Sequence, residues 1–129
     1  SKNPEVALLW QPLSQAINVF ADKTHMNRVF TNLFGNAIEA AREDVICKMT
    51  VKERVEGSRV YVSVSDNGVG IKDEMLDKIF TPNFTTKTSG TGLGLAMCKT
   101  IVEQAGGEIT FETDVNKGTT FHIQLPLVD

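Results

Sequence analysis

The sequence predicts an α+β fold, a two-layer α/β sandwich with helices packed on one face of a mixed, largely antiparallel sheet. Two observations carry this. Hairpin-type turns join most of the strand-like segments, and the repeated strand–helix–strand crossovers of a doubly wound parallel sheet are missing. A third is length: 129 residues match one domain at the usual scale of roughly 100–200 residues each, so residues 1–129 are read as a single unit.

Residues 5–11 could run extended up to Pro12, and Ile17-Asn18-Val19-Phe20 reads as a short strand, so residues 1–21 form a compressed lead-in. Asp22 or Thr24 can cap the helix that follows, because a short oxygen side chain satisfies an orphan N–H of the first turn. From residue 24 to about 43 the pattern is helical, with Met26, Val29, Phe30, Leu33, Ala37 and Ala40 on one face. Strands are expected over 45–55 and 58–65, joined at Glu56-Gly57. Val60, Val62 and Val64 alternate with Tyr61 and Ser63, as in a sheet with one buried face. A short helix over 73–79 and a polar loop over about 81–92 come next. Residues 93–105 form a second packed helix burying Leu95, Cys98, Ile101, Val102 and Ala105, and Gly106-Gly107 ends it. Segments 108–113 and 119–127 make a last hairpin around Asn116-Lys117-Gly118.

Hydrophobic residues make up 41% and charged residues 22%, enough to bury a core and too varied for a low-complexity tail. A net charge of -3 argues against a broad nucleic-acid surface and for no nucleic-acid partner. No run reaches the roughly 18–20 apolar residues that span a bilayer, so no membrane contact is expected of this piece. Cys47 and Cys98 have mainly aliphatic neighbours and read as buried free thiols of a reducing, cytoplasmic compartment. The opening Ser1-Lys2-Asn3-Pro4 lacks an initiator methionine, so the chain is expected to be cut from a longer protein, which could be membrane-anchored.

Three segments carry chemistry. On the first helix Arg28, Asn32, Asn36, Glu39 and Glu43 form a stripe beside the apolar face. It is either a solvated surface or, because asparagine is a mediocre helix former, a line of oxygen ligands for a hard cation such as Mg²⁺. Asp66-Asn67-Gly68-Val69-Gly70 leaves a valine-rich strand. It is either an ordinary Asx turn or a carboxylate placed to accept a purine amine, with glycines allowing close approach to a flat ligand. Gly90-Thr91-Gly92-Leu93-Gly94 stands where a loop becomes a helix, and Lys87 precedes it by three residues. First-turn N–H groups favour phosphate there, although the spacing is neither that of a P-loop nor of a dinucleotide fingerprint.

Five ordered motifs converge. They are Asn32-Leu33-Phe34-Gly35-Asn36-Ala37-Ile38-Glu39-Ala40, Asp66-Asn67-Gly68-Val69-Gly70, Ile79-Phe80-Thr81-Pro82-Asn83-Phe84-Thr85-Thr86-Lys87, Gly90-Thr91-Gly92-Leu93-Gly94-Leu95 and Gly118-Thr119-Thr120-Phe121. Together they resemble the N, G1, F, G2 and G3 boxes of the catalytic, ATP-binding domain of sensor histidine kinases, a Bergerat-fold (GHKL) family, over about residues 22–127. The short lid looks most like the nitrogen-regulation or C4-dicarboxylate-sensor type.

The resemblance implies ATP and Mg²⁺ as ligands. By it, Asn36 holds the metal, Asn32 assists at the phosphates and Glu39 lies near the metal or its waters. Asp66 binds the adenine amine, Gly68 and Gly70 shape the base pocket, and Thr119 or Thr120 supports the same end. Phe80 and Phe84 bracket the lid or belong to the core. Thr86, Lys87, Gly90, Thr91, Gly92, Leu93 and Gly94 serve the phosphates from the lid and the following helix. Asn32, Asn36 and Lys87 are thus the candidate catalytic residues.

The resemblance further implies phosphoryl transfer to a histidine on the kinase's own dimerisation and phosphoacceptor domain, and through it a response regulator as partner. Hydrolases of the same fold carry a glutamate base where this chain has Asn32, and an amide cannot accept a proton near neutral pH. Neither His25, followed by Met26, nor His122 matches the acceptor motif, so this piece is expected to be a monomer that binds ATP without phosphorylating itself. His25 fits a cap or solvent face and His122 a sheet face. A nucleotide-binding regulatory module without turnover, a protein serine kinase of the same fold and a water-directed ATPase are the alternatives.

Overall fold

The computed structural model describes residues 6–11, 23–81 and 94–127. In chain order they form β1 (Val6–Gln11), α1 (Lys23–Glu39), β2 (Cys47–Glu56), β3 (Arg59–Asp66), a 3₁₀ turn (Asp73–Met75), α2 (Gly94–Gln104), β4 (Glu108–Asp114) and β5 (Gly118–Pro126). The five strands make one sheet in the order β1-β2-β3-β5-β4. Only β1 and β2 run parallel; every other neighbouring pair is antiparallel. Both helices lie on one face, so the expected α+β sandwich is the observed one.

The alternation along the strands sorts the two faces. Cys47, Met49 and Val51 of β2, Val60 and Val64 of β3, Ile109 of β4 and Phe121, Ile123 and Leu125 of β5 point toward the helices and are buried. Val29 and Leu33 of α1 and Cys98, Ile101 and Val102 of α2 close over them. Removing such side chains from water stabilises the fold by roughly 1.5–3 kcal/mol for each large one. Phe80, Phe111 and Phe121 meet at one edge of this core, with centroids 5.8 and 6.5 Å from Phe80 and near-perpendicular rings. Both cysteines are free and buried, and burial pushes the Cys98 thiol up to about 11.

Glycine is required at two of the turns. Gly57 joins β2 to β3 at φ 61°, and Gly106 ends α2 at φ 84°, both in the left-handed region.

Several boundaries differ from the sequence expectation. α1 ends at Glu39 rather than near residue 43, because the Ala40 carbonyl accepts the Val69 N–H at 2.8 Å and the chain turns away. β2 begins at Cys47, so Val45 and Ile46, expected in the strand, are exposed in the preceding loop. The short helix expected over 73–79 is a 3₁₀ turn of three residues followed by non-helical turns. Pro12, the strand expected at 17–20, the cap Asp22 and most of the polar loop lie outside the described residues.

Candidate functional site

Asp66 is the last residue of β3 and continues the inward phase of Val60, Val62 and Val64. The pleat therefore aims a carboxylate at the side of the sheet that elsewhere buries hydrocarbon. It lies opposite Met49 of β2. Its Oδ1 accepts the Gly68 N–H at 2.8 Å and the Thr119 N–H at 3.2 Å. Both donors fall on Oδ1, and Oδ2 has no hydrogen-bond partner among the described residues. Burial raises the Asp66 carboxyl above its ordinary value, and the two N–H donors oppose that shift.

Thr119 and Thr113 extend this polar row across β5 and β4, where they are register partners. Thr119 is buried, and its hydroxyl lies 2.9 Å from Thr113 Oγ1. The Thr113 hydroxyl also accepts the Ile71 N–H at 2.9 Å and donates to the Gly118 carbonyl at 3.2 Å. Thr120 has the opposite phase: its Oγ1 pairs with Ser65 Oγ at 2.8 Å. Of the two threonines expected near Asp66, Thr119 is the one on its face.

The loop after Asp66 is held by backbone on several sides. A Cβ at Gly68 would come within 2.4 Å of the Ala40 carbonyl oxygen, and one at Gly70, where φ is 76°, within 2.3 Å of the Asp114 carbonyl oxygen. A Cβ at Gly118 would come within 1.9 Å of the Asp66 carbonyl oxygen. These glycines let chain pack on chain. The Cβ side of Gly68 faces the residue just past α1, and that of Gly70 faces the end of β4.

α1 links this end of the site to the start of α2. Asn32 donates from Nδ2 to the Arg28 carbonyl at 2.8 Å, which orients the amide. A Cβ at Gly94 would lie within 2.8 Å of Asn32 Oδ1, so that oxygen stands against the first residue of α2. Asn36, one turn further on, is half-buried and its side chain has no hydrogen bond to a described residue. From Asn32 to Ala40, the residue just past α1 and beside Gly68, is eight residues, about 12 Å at the helical rise. Glu39 ends α1 with its side chain exposed.

Phe80 packs against the core through Phe111 and Phe121, and Lys99 Nζ lies 5.5 Å from its ring centroid. Phe84, Thr86, Lys87, Gly90, Thr91, Gly92 and Leu93 lie outside the described residues. His25 is exposed, and His122 Nε2 lies 2.7 Å from Glu112 Oε2 on the outer side of the sheet. Thr113, Asn67 and Arg42 were not anticipated. Thr113 could have been found by phase, since it follows Ile109 and Phe111 at the strand period.

The family model for histidine kinase-, DNA gyrase B- and HSP90-like ATPases matches residues 21–129. The chain belongs to this ATPase family. Among similar proteins is the sensor histidine kinase ZraS of Escherichia coli (strain K12), 46% identical over 107 residues, which are 83% of this chain and 23% of ZraS. Sporulation kinase D of Bacillus subtilis (strain 168) is 40% identical over 125 residues, 97% of this chain and 24% of that kinase. The chain thus spans about a quarter of the length of these curated relatives. The catalytic domain of histidine kinase ThkA has the same fold, with a TM-score of 0.77 at 38% identity over 96% of this chain and 79% of that structure. As a member of this nucleotide-binding family, the chain is homologous to the catalytic domains of sensor histidine kinases. No described helix is long and apolar enough to cross a membrane.

Proposed function

We propose that residues 1–129 form one ATP-binding catalytic unit that passes the γ-phosphate of ATP to a histidine on a separate dimerisation and phosphoacceptor domain of the same kinase. A cognate response regulator would then receive the signal. The carrying observation is Asp66: a carboxylate on the core face, pinned through Oδ1 and with Oδ2 left to accept. Adenine offers an exocyclic amine to such an oxygen, and a hydrogen bond to an ionised acceptor contributes about 1.5–3 kcal/mol. Thr119 fixes the carboxylate from β5 through its backbone N–H.

At the other end, Asn32 and the first turn of α2 would meet the phosphates, where N–H groups not used within the helix favour anions. Asn36 fits a Mg²⁺ site by the chemistry of its donor: a hard cation takes oxygen ligands, and this amide oxygen is not engaged by a described residue. When bound, the ion would neutralise phosphate charge. Lys87 and the loop from 81 to 92 are assigned to cover the phosphates and exclude water. Asn32, held to the Arg28 carbonyl, cannot serve as a base toward water. This favours transfer to a positioned acceptor over hydrolysis.

Isothermal titration with ADP and a non-hydrolysable ATP analogue, with and without Mg²⁺, tests the binding half of this reading. Micromolar binding that strengthens with Mg²⁺ is expected, and no binding by a folded sample would contradict it. Transfer of labelled phosphate to an added histidine acceptor domain tests the rest; binding with no transfer to a matched acceptor would leave a regulatory nucleotide module.

A further inference from the structure

The residue after Asp66 makes a separate set of contacts. Asn67 donates from Nδ2 to the Ile46 carbonyl at 2.9 Å and accepts the Lys48 N–H on Oδ1 at 2.8 Å. These groups flank Cys47 on the edge of β2 that faces β3. They lie one step beyond Met49↔Asp66, where the β2–β3 ladder ends. One side-chain amide thus takes the place of a strand residue, extending the pairing while the main chain turns away. The Asn67 carbonyl, in turn, accepts the Arg42 Nε–H at 3.1 Å, tying the same residue to the chain that leaves α1.

We infer that Asn67, assisted by Arg42, is a positioning residue that sets the direction of the Asp66 carboxylate and so the choice of nucleotide base. The path is short. Asp66 Oδ1 is held by the Gly68 N–H, the next amide along from Asn67. With Asn67 clamped to β2 and to Arg42, that N–H cannot swing, and Oδ2 is left facing one way. Without the clamp the carboxylate keeps its charge but loses its aim. The inference rests on the reading of Asp66 as the acceptor of the adenine amine.

The test compares ADP with inosine diphosphate, which carries a carbonyl where adenine carries the amine. Calorimetric titration of the chain should show a preference for ADP, and Asn67→Ala should lower the ADP-to-inosine-diphosphate affinity ratio by about tenfold. Binding of inosine diphosphate itself should hardly change. Equal weakening of both nucleotides, or no change in the ratio, would make Asn67 structural only and overturn the inference, while the role of Asp66 would stand. A parent chain with no preference between the two would remove the Asp66 reading and this inference with it. If Asn67→Ala does not fold, Arg42→Ala decides in the same way, with an expected fall in the ratio of about threefold. An unchanged ratio in a folded Arg42→Ala chain would count against the clamp.

Discussion

Two neighbouring rows on the helix-facing side of the sheet have the same backbone geometry and different chemistry. One row is Val51, Val64, Phe121 and Phe111, paired in register across four strands. One pleat repeat away is Met49, Asp66, Thr119 and Thr113. Both rows point toward the helices. The first is closed by apolar side chains of α1 and α2, whereas the second satisfies itself with hydrogen bonds among Asp66, Thr119 and Thr113 and their backbone neighbours. On the proposed reading, a binding site arises here by placing hydrogen-bonding side chains in core phase at the end of a sheet. The core's rigidity then positions them at little additional cost in ordering.

Removing a member of each row should have opposite signatures. Phe121→Ala takes a buried ring out of the apolar row and should destabilise the chain by about 3–5 kcal/mol in denaturant unfolding. Asp66→Asn keeps an oxygen for the Gly68 and Thr119 donors but puts an N–H₂ where Oδ2 stood. It should leave stability within about 1 kcal/mol while weakening ADP by about 2 kcal/mol or more in calorimetry.

The pH dependence sharpens the same contrast. Burial raises the Asp66 carboxyl, so the folded chain holds this proton more tightly than the unfolded chain does. Its contribution to stability is therefore fully present below the unfolded value, near 3.8, and is lost as pH rises through the higher folded value. The stability of Asp66→Asn relative to the parent should climb over that window and level off above it. A difference that stays flat with pH would mean the carboxylate is not desolvated.

Thr113→Val, nearly isosteric, should cost about 1–3 kcal/mol, because the Ile71 N–H then loses its acceptor. If the hydroxyl network carries no stability, unfolding curves of the two chains will superimpose. The smallest effect on folding belongs to Asn36→Ala on α1, within about 1 kcal/mol since alanine is the better helix former. That substitution should still remove most of the dependence of ATP-analogue affinity on Mg²⁺. Retained Mg²⁺ dependence would move the metal away from Asn36.

Much of this contrast was legible in the sequence. Strict alternation from Val60 to Val64 puts Asp66 in phase with the core, and the four-residue spacing of Val29, Leu33 and Ala37 places Asn32 and Asn36 beside a buried stripe. Local propensity could not show which of Thr119 and Thr120 shares that face, because the answer depends on where β5 starts and how it registers with β3. Nor could it show the early end of α1. That end is set by a tertiary hydrogen bond from Val69 to the Ala40 carbonyl, and residues 40–43 carry no glycine or proline to announce it. Nor do the glycines of the Asp66 loop announce in sequence that the Ala40 and Asp114 carbonyls stand against them. Clamping by Asn67 was hidden for the same reason: Ile46 and Lys48 are distant in sequence.

The most direct test of the central claim, that Asp66 is a core-phase carboxylate serving the nucleotide base, is to titrate ADP into Asp66→Asn alongside its unfolding curve. An affinity lowered by at least about thirtyfold, at parental stability near neutral pH, is the predicted result. Parental ADP affinity in the folded variant would contradict it and move the base-binding role elsewhere in the chain.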